Sequence, residues 1–135
     1  MLFFGAFGIA TEVFFTAITS FLSGHVVMGK PPLALTGFTY VWMLPIYMLI
    51  PFLFRAILPR LIHLHVSLRI LIYVTIIYVV EFTSGFLLDQ VTGSCPWEYT
   101  TGWHVMGYIR LDYFPAWAFF AFLIEKMYRY LSNVE

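Results

Sequence analysis

Four ionisable residues stand inside otherwise apolar stretches of this 135-residue chain: Glu12, Glu81, Arg110 and Asp112. A charge at the centre of a bilayer costs about 3 kcal/mol on insertion scales, so such residues pair with one another or serve a proton, an ion or a polar substrate. Three carboxylates and one guanidinium cannot all be matched in pairs. Like charges held close together in a low dielectric do not ionise together readily, so one of the three acids is expected to keep its proton at neutral pH. That is the chemistry of a proton or cation site. The competing reading is a buried Glu–Arg–Glu clasp that only joins two parts of the chain.

Helical spacing places these groups on polar faces. Gly5, Gly8, Glu12, Thr16, Thr19 and Ser23 follow a three-four spacing. They form a stripe of small and polar side chains of the kind that lets helices pack closely. The stripe is therefore expected to mediate self-association. Thr75, Tyr78, Glu81, Gly85 and Asp89 repeat nearly the same pattern. Arg110 and Asp112 are only two apart, which on a helix sends them to different sides. Arg110 is thus expected to pair with Glu12 or Glu81 in one shared pocket.

The elements that must carry these groups follow from composition. The chain is 61% hydrophobic, 21% aromatic and only 10% charged, with a mean hydropathy of +0.88. Soluble domains carry about 25% charged residues. A soluble globule, a disordered chain and a nucleic-acid binder are excluded on these grounds. The single cysteine, Cys95, rules out an internal disulfide and a cysteine-only metal site. About 20 apolar residues cross a ~30 Å hydrocarbon core. Four stretches qualify, roughly Leu2 to Leu22, Phe38 to Leu58, Val66 to Leu88 and Val105 to Leu123. The expected fold is all-α, a polytopic membrane protein of four transmembrane helices in one domain over residues 1–135. Arg55, Arg60, Arg69, Lys126 and Arg129 fall on one side, against Lys30 and Arg110 on the other. By the positive-inside rule both termini are cytoplasmic and the segment from Asp89 to His104 lies outside.

The two halves resemble each other. Gly37 and Pro45 stand eight apart, as do Gly107 and Pro115, each pair following a glutamate, Glu12 or Glu81. Phe38 and Tyr108 follow the glycines, and Tyr47 and Trp117 stand two past the prolines. The pattern predicts two helical hairpins as parallel repeats, about 1–60 and about 66–131. Trp97, Tyr99 and Trp103 fit an interfacial aromatic belt. Trp97, Glu98 and His104 are secondary candidates in the outer loop. His63 and His65 fit a headgroup contact better than a metal site, and His25 lacks neighbours to complete a ligand set. Glu125 and Arg129 read as an ordinary i,i+4 pair. There is no phosphate-binding loop, GxSxG or HExxH motif.

Cys95-Pro-Trp-Glu-Tyr-Thr followed by Gly107-Tyr-Ile-Arg-Leu-Asp-Tyr-Phe-Pro-Ala-Trp117 resembles the second-half signature of the CmpB-like family, labelled ABC-transporter type IV. Glu12, the segment from Gly37 to Tyr47, and Glu81 extend the resemblance over nearly the whole chain. Glu98 and Thr100 depart conservatively from that family's Trp-Asp-Tyr-Ser type of motif, and His104 stands where an Asn is expected. The resemblance implies a small four-helix membrane protein, and the chain itself has no ATPase. Gly8-Ile-Ala-Thr-Glu12-Val13 with Thr16 is similar to the first helix of small multidrug-resistance exporters, an analogy of chemistry. The leading expectation is a transporter- or permease-like protein. Its Glu12, Glu81, Arg110 and Asp112 would bind a proton, a cation or a small amphiphile. The alternatives are a lipid-acting membrane enzyme and a non-catalytic membrane partner or assembly protein. Expected partners are membrane lipid, further copies of the chain, and a separate ATPase or other membrane subunit. No cofactor, metal or nucleic acid is expected.

Overall fold

An apolar run without proline makes the first helix, α1, Leu2–Leu22. Its threonines return their hydroxyls to the preceding turn, Thr11 to the Phe7 carbonyl at 2.8 Å and Thr19 to that of Phe15. A hydroxyl satisfied in this way can face an apolar medium. The computed structural model describes residues 1–23 and 36–132. His25 and Lys30 lie outside the described residues. The remaining helices are α2 (Met43–Met48), α3 (Ile50–Leu61), α4 (Val66–Thr92) and α5 (Phe114–Ser132). Between α4 and α5 a two-residue strand β1 (His104–Val105) pairs antiparallel with β2 (Ile109–Arg110), and a 3-10 turn covers Leu111–Tyr113. Apart from this small ribbon the fold is all-α.

Prolines and one glycine set several boundaries. Pro45, Pro51 and Pro115 sit in the first turns of α2, α3 and α5. There a missing N–H leaves no bond unmade. Pro51 cannot donate to the carbonyl four residues earlier, so α2 and α3 are separated at Leu49. α4 starts where His65 accepts from the Ser67 amide at 3.4 Å. It ends at Gly93, whose left-handed φ of 81° turns the chain while its amide donates to the Asp89 carbonyl at 2.9 Å.

Among the described residues three stretches, Leu2–Leu22, Met43–Leu61 and Val66–Thr92, are long and apolar enough to cross a membrane. α5 has the length of a span, but Glu125, Lys126 and Arg129 occupy its last turns. The span expected from Val105 to Leu123 is therefore corrected. Residues 105–113 form the ribbon and the 3-10 turn, and the helix starts at Phe114 and runs on to Ser132. The second span likewise becomes helical at Met43 rather than at Phe38.

The chain forms two compact units, Met1–Leu53 and Phe54–Glu135. In the first, α1 packs on α2 through its small residues. A Cβ at Gly5 would stand 3.0 Å from Leu44 and nearer still to Met48, and one at Gly8 would strike the Tyr47 ring. At Gly5 and Gly8 the stripe expected to mediate self-association is thus covered by α2 of the same chain. In the second unit, Leu58, Val74 and Ile124 are fully buried, and Phe54 stacks against Tyr73 and Tyr128 with ring centroids 4.9 and 5.5 Å apart.

An ion pair that the sequence did not single out closes this second core. Arg69 holds Glu125 with two parallel bonds, Nε to Oε2 at 3.0 Å and Nη2 to Oε1 at 2.7 Å. Its remaining amino group donates to the Leu64 and Ile62 carbonyls at 2.6 and 3.3 Å, which follow the end of α3. One guanidinium therefore ties the α3–α4 turn to α5. Arg129, the expected partner of Glu125, stands farther off at 3.7 Å. The paired side chains are only 7% and 3% exposed, so removing one strands the other in the interior. Arg69→Ala should lower stability by about 3–5 kcal/mol, whereas Arg69→Met combined with Glu125→Leu should cost much less. Unfolding of both variants in mixed micelles checks this.

Candidate carboxylate sites

Each compact unit holds one of the two glutamates. Glu12, on α1, is half-buried, and its Oε2 accepts from Thr39 Oγ1 at 2.8 Å and from the Tyr47 hydroxyl at 3.0 Å. Two local features bring these donors in. The Phe38 amide and carbonyl both bond the Thr16 hydroxyl at 3.0 Å, which ties the segment before α2 to α1. Gly37 lies against the Val13 carbonyl, where any Cβ would collide. That close approach sets Thr39 beside Glu12. Tyr47 comes from α2 and leans across Gly8.

Glu81, on α4, is 6% exposed. Its Oε1 accepts from the Tyr99 hydroxyl at 2.9 Å. Tyr99 belongs to the segment after α4, which folds back along that helix. The Tyr108 hydroxyl bonds Asp89 at 2.7 Å, and the Tyr78 hydroxyl bonds the Leu111 carbonyl at 3.2 Å. Between them Gly85 leaves room for Cys95, Trp97 and Tyr108 to approach. The face predicted on this helix, from Tyr78 through Glu81 and Gly85 to Asp89, is therefore covered by residues 94–113.

Arg110 and Asp112 do not join Glu81, the glutamate of their own unit. Arg110 is bound to Asp112, Nε to Oδ1 and Oδ2 at 3.0 Å and Nη2 to Oδ2 at 2.8 Å. It also donates to the Tyr113 hydroxyl at 3.0 Å and lies 4.4 Å from that ring's centre. The expectation of an Arg110–Glu81 pair is corrected. It assumed a helix, but Arg110 has extended backbone angles of −128° and 108°. The chain is extended at Arg110 and turns in the 3-10 segment Leu111–Tyr113, which places the Asp112 carboxylate beside the guanidinium.

The outer-loop candidates part company. Trp97 is buried, with its indole N–H donating to the Tyr108 carbonyl at 3.2 Å. Tyr99 is committed to Glu81, so of the expected aromatic belt only Trp103 is well exposed. Glu98 and His104 are both exposed and share no hydrogen bond. Cys95, in the segment expected outside as a free thiol or in an intermolecular pair, is buried, and burial pushes its pKa up. Among the described residues no group of three His, Cys, Asp or Glu side chains is placed to hold a metal.

The hydroxyl donors Thr39, Tyr47, Tyr99 and Tyr108 were missed as site residues. Tyr47 carried a signal as an aromatic two past Pro45, and Tyr99 as part of the Trp-Glu-Tyr-Thr motif. No family model matches the sequence, and no solved structure matches the fold.

The Arg110 guanidinium, with help from the Trp103 amide at 3.1 Å, holds the Asp112 carboxyl below its usual range. Its pKa is lower folded than unfolded, so the stabilisation is full above the unfolded value of about 3.9 and is lost as pH falls through the folded one. Acid titration followed at the Trp103 amide by NMR should show the ribbon loosening only below the ordinary aspartate range. Asp112→Asn should abolish that transition.

Proposed function

We propose that the chain is a four-span integral membrane carrier that moves a cation or small amphiphile in exchange for protons, with Glu12 and Glu81 as its proton-binding groups. The observation that carries this reading is the environment of Glu12. It lies within a helix long and apolar enough to cross a membrane, it is half-buried, and two neutral hydroxyls of its own unit hold it. A carboxylate locked to an arginine is already neutralised. One held by hydroxyls can take up a proton or a substrate cation, because a hydroxyl can donate to the ionised form and accept from the protonated one.

α5 serves as the fourth span on this reading. Its one buried carboxylate, Glu125, is neutralised by Arg69, which removes the charge that would otherwise oppose insertion. The arginines and lysines near the ends of α3, α4 and α5 then mark the cytoplasmic side, with both termini there. The two halves act as repeated hairpins, as the matching Glu, Gly and Pro spacings suggest, each supplying one membrane glutamate. Self-association would use a surface other than the stripe that α2 covers.

A second reading, a non-catalytic membrane partner, draws on the second unit. There Arg69–Glu125, Glu81–Tyr99 and Asp89–Tyr108 all join elements of the fold, as structural polar contacts do.

Purified protein in vesicles with an imposed pH gradient separates the two, with ethidium as the cation probe. The carrier reading expects gradient-driven ethidium movement that Glu12→Gln reduces to the level of protein-free vesicles. Equal movement with wild type and Glu12→Gln would contradict it, and absence of movement with the wild type would favour the partner reading.

A further inference from the structure

We propose that residues 94–113 form a strap over the Glu81 face of α4, and that the Tyr99–Glu81 hydrogen bond is the latch that controls when Glu81 meets solvent. The inference deepens the carrier reading and rests on it for the role of Glu81. The strap itself rests on geometry alone.

The segment is a unit in its own right. The Tyr99 amide bonds the Gly107 carbonyl at 2.9 Å, the Leu111 amide bonds that of Trp103 at 2.7 Å, and the Trp97 indole bonds that of Tyr108 at 3.2 Å. The ribbon and the Arg110–Asp112 fork stiffen its far end. Its attachment to α4 is of a different kind. Two tyrosine hydroxyls reach carboxylates, Tyr99 to Glu81 and Tyr108 to Asp89, and Tyr78 returns a third bond to the Leu111 carbonyl. The chain enters the strap at Gly93, whose left-handed turn is unpacked; a Cβ added there would meet nothing within 4 Å. The strap also packs Cys95, Trp97 and Tyr108 on α4, with the Tyr108 ring against Phe82 and Phe86, so the hydroxyl bonds add to an apolar contact. A self-bonded segment hinged at an open glycine can lift without unwinding the helix beneath.

Each hydroxyl–carboxylate bond is charge-assisted, and losing one should raise the opening equilibrium by about tenfold to a hundredfold. Glu81, at 6% exposure, is reached from water only when the strap lifts. Tyr99 is thus a positioning residue, acting through Glu81.

Cys95 supplies the reporter. It is the only cysteine, belongs to the strap itself, and is buried on its underside against Gly85 of α4. In the purified full-length chain in detergent, alkylation of Cys95 by a bulky polar maleimide should be about tenfold or more faster in Tyr99→Phe than in wild type. Glu81→Leu should speed it to a similar degree, and the double variant should be no faster than either alone. A tyrosine that merely packed would give additive effects instead. Tyr130→Phe, at an exposed position on α5, should leave the rate unchanged. Wild-type alkylation rates in Tyr99→Phe, or additive effects, would overturn the latch.

Should Tyr99→Phe fail to fold, hydrogen exchange on the wild type decides. The Tyr99 and Leu111 amides should exchange at one common rate, faster than the amides of Ile76 to Val79. Exchange of all of them together would overturn the strap. Failure of ethidium movement with fast Cys95 alkylation in Tyr99→Phe would remove the carrier reading and leave the strap standing.

Discussion

A carboxylate inside an apolar helix must find its hydrogen-bond donors within the protein, because the surrounding medium offers none. Much of the local architecture around the two glutamates follows from that requirement. Thr39 and Tyr47 are brought to Glu12 by a close approach of backbone at Gly37 and of an aromatic ring at Gly8. Tyr99 is brought to Glu81 by a chain that turns at Gly93 and runs back along α4. In both places glycine permits the approach and a hydroxyl completes it. The apolar mass of the helices supplies the area for burial, and the polar groups decide which faces meet.

Arg69 and Glu125 obey the same requirement by a different solution. Two opposite charges remove each other's need for a donor, provided the geometry is bidentate and the remaining guanidinium protons are used. The carbonyls of Ile62 and Leu64 use them. Such a pair is closed chemistry. It holds α5 to the start of α4 and leaves no capacity for a ligand. The hydroxyl-held glutamates differ in that respect, and this difference separates a structural clasp from a candidate site.

The first and third apolar helices were legible in the sequence because hydropathy and length speak for themselves at that scale. The polar face of α4 was legible for a similar reason, since residues three and four apart share a side. The residues from Val105 to Tyr113 were misjudged because an apolar stretch of strand, turn and helix start has the same average hydropathy as a continuous span. Gly102 and Gly107, both with positive φ, and the alternation of Ile109, Arg110 and Leu111 were the available signs of extended chain. The Arg110–Asp112 fork then follows from a strand end running into a 3-10 turn, and not from a helical period of 3.6. The Arg69–Glu125 pair left no local trace. Its members stand 56 residues apart, and each reads alone as a charge at a helix end. Only the packing of α4 on α5 brings them together.

The central claim is that Glu81 is held by the Tyr99 hydroxyl and not by the Arg110 guanidinium. Infrared spectroscopy of the purified protein tests it, with the Glu81 carboxyl band assigned by difference from Glu81→Gln. The account predicts that this band shifts in Tyr99→Phe and keeps its position in Arg110→Met. A band that moves with Arg110→Met and ignores Tyr99→Phe would contradict it.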